Sequence, residues 1–228
     1  MSIMSLHSDI WGLVWSYCQG APLRHVCRAW RDKNPSKKIK RSMISTVSLI
    51  RWASSNGCPW NALTCNYAAR NGHLKVLKWL RANGCPWNES TCAMAAKYSH
   101  LEVLKWLRCP DGKPENACPW NVLTCSHAAE NGHLEVLQWA YVNGCIWDVY
   151  TCASAAENGH LEVLKWARSS GCPWDEYTCA SAAKNGHLEV LKWARENGCP
   201  WSKLTCFFAA RDGHLEVLKW ARENGCPE

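Results

Sequence analysis

The sequence predicts an all-α protein, a helical solenoid of short antiparallel helix pairs preceded by a small helical segment. Three observations carry this. Cys-Pro-Trp begins at Cys58, Cys85, Cys118, Cys145 (as Cys-Ile-Trp), Cys172 and Cys199, and a Trp-less Cys-Pro begins at Cys226, giving steps of 27, 33, 27, 27, 27 and 27 residues. A fixed period in this range marks a stacked array. Each unit holds two short runs of helically spaced apolar residues, closed by a glycine-containing turn in all but one case, where Ser99 stands instead. In the second run, Leu74, Val76, Leu77, Trp79 and Leu80 spread over more than half the circumference at ~100° per residue, so that helix must pack on several sides.

The chain divides into residues 1–33, a linker at 34–43 and the array at 44–228, which comprises a half repeat (44–58) and six repeats. In the first part, Leu6, Ile10, Leu13, Val14 and Tyr17 recur at helical spacing until Gly20 and Pro22. A second short helix is expected from Leu23 to Arg31. Helices this short need a partner for their apolar faces. Leu6-x-x-Asp9-Ile10, then Leu23, then Val26-Cys27-Arg28-Ala29-Trp30-Arg31 resembles an F-box over about 26 residues. His7 stands where that family has proline, and the stretch between Leu23 and Val26 is some three residues short. The resemblance implies docking on the Skp-type adaptor of cullin ubiquitin ligases through Leu6, Ile10, Leu13, Leu23, Val26 and Trp30. The alternative is that these helices only cap the array.

In the linker, Pro35 stops the preceding helix. Lys37-Lys38-Ile39-Lys40-Arg41 fits a nuclear-localisation-like cluster as well as a solvated charge run. The net charge of +7 arises near here, because Arg24 to Arg51 holds nine Lys/Arg against one acid, while residues 52–228 hold 17 of each sign. A nucleic-acid-binding solenoid would carry a basic stripe, so no nucleic-acid partner is expected. No signal peptide and no run of ~18 apolar residues is visible, so neither secretion nor a membrane is expected. The 16 cysteines are then thiols in a reducing cytoplasm, with the nucleus as a second location.

Within the array, the first helix of a unit is expected from about Leu63 to Arg70, with Ala68-Ala69 allowing close backbone approach and Asn71-Gly72 ending it. The second is expected from His73 to about Asn83, stopped by Gly84 and Pro86. Glu102–Lys105, Glu162–Lys165, Glu189–Lys192 and Glu216–Lys219 recur at i,i+3, worth only a few tenths of a kcal/mol each, and mark a solvated face.

Ala-Ala-x-Asn-Gly-His-Leu-Glu-Val-Leu-Lys-Trp-x-x-x-Asn-Gly-Cys resembles the ankyrin-repeat consensus almost position for position, over six units ending near Gly84, Ala117, Gly144, Gly171, Gly198 and Gly225. Val47, Leu49, Ile50 and Trp52 form the preceding half unit. The unit is about six residues shorter than an ankyrin repeat, so the hairpins are expected to be clipped, with Trp60, Trp87, Trp120, Trp147, Trp174 and Trp201 over the cut. Thr-Cys replaces Thr-Pro-Leu-His, which places Cys65 and its equivalents in an apolar slot. The six extra residues of the long step fall in the loop from Cys109 to Asn116.

No chemistry stands apart from the repeat. The cysteines recur as Cys-x6-Cys, whereas structural zinc sites favour tighter spacing, so no metal or cofactor is expected. His73, His133, His160, His187 and His214 share one repeat position. No phosphate loop or nucleophile elbow appears, and the protein is not expected to be an enzyme.

What varies between repeats is where a partner could be read. The residue after Ala-Ala is Arg70, Lys97, Glu130, Glu157, Lys184 and Arg211, and Phe207-Phe208 precede the last pair. By resemblance, part of this first-helix surface lines the concave face on which ankyrin proteins hold targets. With no polar helix after the last unit, Phe207 and Phe208 are also expected to contact a partner or a second copy of an otherwise monomeric protein. The combined reading is a substrate-recruiting adaptor that holds a target protein for a Skp/cullin-type ligase. The alternative is an ankyrin-like scaffold or host-protein binder with no ligase link. The pairing of segments resembles repeat-rich proteins of large DNA viruses, which implies host targets.

Overall fold

A polar residue opens each first helix and a turn with positive φ closes nearly every helix of the computed structural model, which describes residues 47, 51 and 61–227. Among these residues there are twelve α-helices and no strand. They form six pairs: α1 (Ala62–Arg70) with α2 (Leu74–Ala82), α3 (Glu89–Lys97) and α4 (Leu101–Arg108), α5 (Val122–Glu130) and α6 (Leu134–Val142), α7 (Val149–Glu157) and α8 (Leu161–Ser169), α9 (Glu176–Lys184) and α10 (Leu188–Glu196), α11 (Lys203–Arg211) and α12 (Leu215–Glu223). No helix here is long and apolar enough to cross a membrane. The F-box-like segment, the linker and nearly all of the half repeat lie outside the described residues.

The residue after Cys-Pro-Trp, or Cys-Ile-Trp, is the N-cap of α1, α5, α7, α9 and α11. The side chains of Asn61, Asn121, Asp148, Asp175 and Ser202 accept from the amides of Leu63, Leu123, Tyr150, Tyr177 and Leu204, satisfying a donor that has no partner inside the helix. At the other end Gly72, Gly132, Gly159 and Gly186 adopt φ of 69–75°. Ser99 takes φ 60° at the same position and carries the strain that glycine avoids. The six extra residues fold as two 3-10 turns, Pro110–Gly112 and Pro114–Asn116, with the Trp106 indole donating to Asp111 at 3.3 Å.

Two units can be distinguished, residues 1–95 with 102–119 and residues 96–101 with 120–228. In the second, α5, α7, α9 and α11 pack side by side, and each second helix lies against its own first helix. The alanine pairs make that close stacking possible: Ala128, Ala129, Ala155, Ala156, Ala182 and Ala183 are fully buried. Leu137, Leu164 and Leu191 fill the space behind them, each contributing about 1.5–3 kcal/mol by leaving water. In the first unit Leu77, Leu80, Leu104 and Leu107 do the same.

Candidate protein-interaction surface

The first helices of the second unit present one solvated face with three rows. At their N-terminal ends stand Leu123, Tyr150, Tyr177 and Leu204, the first three exposed, with Tyr177 at 54%. One turn on are His127, Ser154, Ser181 and Phe208, all half-buried. The last row is Glu130, Glu157, Lys184 and Arg211, joined by Lys97 at the end of α3. An i, i+4, i+7 spacing puts the three rows on one side of each helix. In the middle row Ser154 and Ser181 are small residues between the large apolar side chains and the charges.

The charges are spent on one another. Lys97 Nζ meets Glu130 at 2.9 Å and Lys184 Nζ meets Glu157 at 2.8 Å, both between neighbouring repeats, and Arg211 pairs with Asp212 at 2.8 Å. Down this column the sign changes from Lys97 to Glu130 and again from Glu157 to Lys184, and each change is a complementary pair. Pairs this exposed add little stability. The Arg211 guanidinium holds the Asp212 carboxyl below its usual range.

Beneath the row, three histidines each bond back to the first helix of the preceding repeat. His133, His160 and His187 donate through Nε2 to the carbonyls of Lys97, Glu130 and Glu157, each at 3.1 Å. A carbonyl only accepts, so the proton sits on Nε2. The imidazole also lies over the preceding glycine, where a Cβ on Gly132, Gly159 or Gly186 would come within 2.6–2.8 Å of the His160, His187 or His214 ring. Burial holds His133 below the ordinary histidine pKa, against the opposing effect of its bond to the Lys97 carbonyl.

The fixed cysteines close each repeat on itself. The thiols of Cys85, Cys118, Cys145, Cys172, Cys199 and Cys226 donate to the carbonyl of their own repeat's N-cap residue at 3.2–3.5 Å. Cys65 Sγ lies 3.5 Å from Cys85 Sγ, a pairing 20 residues apart rather than the Cys-x6-Cys neighbours of the sequence. A thiol hydrogen bond followed by burial pushes Cys65, Cys125, Cys152 and Cys179 far above the ordinary range. Such thiols stay protonated and behave as small core residues. No group of three or more His, Cys, Asp or Glu among the described residues could hold a metal ion.

The tryptophans form edge-to-face pairs within each repeat: Trp87–Trp106, Trp120–Trp139, Trp147–Trp166, Trp174–Trp193 and Trp201–Trp220, with centroids 5.8–6.1 Å apart. Those of the second helices, expected in the core, are half-buried apart from buried Trp106. Arg81, Arg168 and Arg195 lie over Trp87, Trp174 and Trp201 at 3.9–4.3 Å and donate to the Cys85, Cys172 and Cys199 carbonyls. The Cys-Pro-Trp rings are half-buried and held by these neighbours.

Two stretches of the chain match ankyrin repeats. A family model described as ankyrin repeats (many copies) matches residues 65–108 and 179–222. Among solved structures, the crystal structure of the human ASB11 ankyrin repeat domain is 17% identical, with a TM-score of 0.54 over 71% of this chain and 83% of that one. At that identity the likeness is one of fold. No curated protein matches the sequence.

Of the residues singled out beforehand, Lys97, Glu130, Glu157, Lys184 and Arg211 share one row in the second unit, while Arg70 ends α1 in the first. Phe208 stands in the middle row, and Phe207 lies at the edge of the face, its ring 5.5 Å from Phe208 and 5.9 Å from the Arg211 guanidinium. Its equivalent in the preceding repeat is Ala180, fully buried in α9, which packs against α11; Phe207 is 55% exposed, beside Leu204, Ala210 and Arg222. The apolar row of Leu123, Tyr150 and Tyr177 escaped the sequence reading. Its signal was present, because the residue before each Thr-Cys drifts through Leu63, Ser90, Leu123, Tyr150, Tyr177 and Leu204.

Proposed function

We propose that this protein is a non-catalytic binding module that holds a target protein along the first-helix face and delivers it to a Skp/cullin-type ubiquitin ligase through residues 1–33. The ankyrin repeats support the coarser half of this reading, a protein-interaction module. The observation that carries the target site is the exposed row of Leu123, Tyr150 and Tyr177 beside a charge row already neutralised by its own pairs. Rigid, exposed tyrosines with internally paired charges favour a largely uncharged, apolar-rich segment of the target. If the protein is of viral origin, that target is a host protein.

The ligase link rests on the F-box-like residues Leu6, Ile10, Leu13, Leu23, Val26 and Trp30, which lie outside the described residues. A pull-down of the purified chain with a Skp-type adaptor tests it. Binding that is lost in Trp30→Ala supports the adaptor role. No binding by the wild type leaves the N-terminal helices as a cap and the protein as a scaffold.

A further inference from the structure

The array breaks its own pattern at one repeat, on the exposed side of α6 and the turn after it. Other second helices carry lysine, arginine and a small or charged residue at three successive outer positions, as in Lys165, Arg168 and Ser169 or Lys192, Arg195 and Glu196, and then Cys-Pro. Here the corresponding residues are Gln138, Tyr141, Val142 and, in place of proline, Ile146. Val142 is 80% exposed and Ile146 65% exposed. Water-facing Val and Ile in place of polar residues and proline lower solubility and serve no packing need that the other repeats show.

Tyr141 is held in place. Its ring stacks on Trp147 at 3.9 Å and 14°, meets the edge of Trp166 at 6.0 Å, and its hydroxyl donates to the Ser170 carbonyl at 3.2 Å. A partly exposed aromatic fixed by three contacts loses little entropy when something lands on it.

The exchange also changes the local charge. From Leu134 to Val149 there is no lysine or arginine, while Glu135 and Asp148 remain. Glu102, Glu162 and Glu189 each pair with the lysine three residues on, at 2.8 Å, but Glu135 faces Gln138 and has no ion pair among the described residues. This stretch thus adds apolar side chains and two acids, Glu135 and Asp148, to the surface.

We propose that Tyr141, Val142 and Ile146 form a second docking site for an amphipathic helix of a partner protein, one with lysine or arginine beside its apolar face. The site lies on a second helix, separate from the first-helix rows, and does not depend on what those rows hold. An apolar stripe would cover Val142 and Ile146 and lie against the Tyr141 ring, while a flanking cation would replace the lysine that Glu135 lacks.

The test compares the full-length protein with a variant carrying Gln138→Lys, Tyr141→Arg, Val142→Glu and Ile146→Pro, which restores residues that the neighbouring repeats use. Folding is expected to survive, because Arg168 shows how arginine fills this position: over Trp174 at 4.3 Å and bonded to the Cys172 carbonyl at 2.9 Å. Helical peptides of about 16 residues are selected from a random display library on the wild type, then measured on both proteins by fluorescence anisotropy. Amphipathic peptides rich in Lys or Arg, bound at least about tenfold more tightly by the wild type and weakened by salt, are the expected result. Equal binding to both proteins, an acidic consensus or no enrichment overturns the proposal. So does sedimentation showing that the wild type self-associates and the variant does not, since the occupant would then be a second copy.

Discussion

The imidazole of His187 closes over Gly159, where a Cβ would stand 2.8 Å from the ring. At Gly213 the same turn has nothing within 4 Å of the added atom, and the two glycines have nearly the same φ, 73° and 80°. Gly213→Ala should therefore cost only the backbone strain, about 1 kcal/mol. Gly159→Ala adds a steric conflict with the next repeat and should cost about 2–4 kcal/mol. Urea midpoints of the two variants check the difference, and equal losses would mean that the histidine yields freely.

Ser99 stands at φ 60° where the other repeats have glycine. Ser99→Gly should stabilise the protein by about 1 kcal/mol, because relief of strain outweighs the added freedom of the unfolded chain. A raised melting temperature in calorimetry is the expected outcome.

His133 links α6 to the end of α3 and is held below its ordinary pKa chiefly by burial, with the charges of His160 and His100 acting in the same direction. For a histidine whose folded pKa is depressed, the unfolded chain binds more protons, so stability rises with pH. The contribution is complete above the unfolded value of 6.5 and is lost as the pH falls below it and through the folded pKa. Urea midpoints between pH 5 and 8, compared with His133→Gln, should show a steeper acid loss in the wild type.

The thiols should divide sharply under a water-soluble alkylating reagent. Cys109 is the one exposed cysteine among the described residues and should be modified first, while the buried pairs wait for unfolding. Peptide mapping after brief labelling checks this. Cys172→Ala removes the donor to the Asp148 carbonyl and some packing, and should cost about 1–2 kcal/mol.

Much of this was legible in the sequence because the repeat compares itself with itself. The Asn-Gly after Ala68-Ala69 and the Gly84-Cys-Pro stop placed α1 and α2 to within a residue. The charged column ending the first helices was picked out by its drift, yet its meaning was not, since pairing between Lys97 and Glu130 depends on which repeats become neighbours. The thiol partner of Cys65 was hidden for the same reason: Cys85 is 20 residues away and reaches it only when the helix pair closes. Phe207 and Phe208 are adjacent in sequence but about 100° apart around a helix, so Phe208 stands within the first-helix rows and Phe207 at their edge, with Arg211 beside both.

The central claim is that this array binds its target through the first-helix face, and the row of Tyr150 and Tyr177 tests it most directly. Both rings are exposed, so Tyr150→Ser with Tyr177→Ser should leave the urea midpoint within about 0.5 kcal/mol of the wild type. Proximity labelling in the native cell, run in parallel with the wild type and this double variant, gives the measurement. The account predicts that the proteins most enriched by the wild type fall away in the variant. Retention of the same set at the same enrichment, by a variant of unchanged stability, would contradict it.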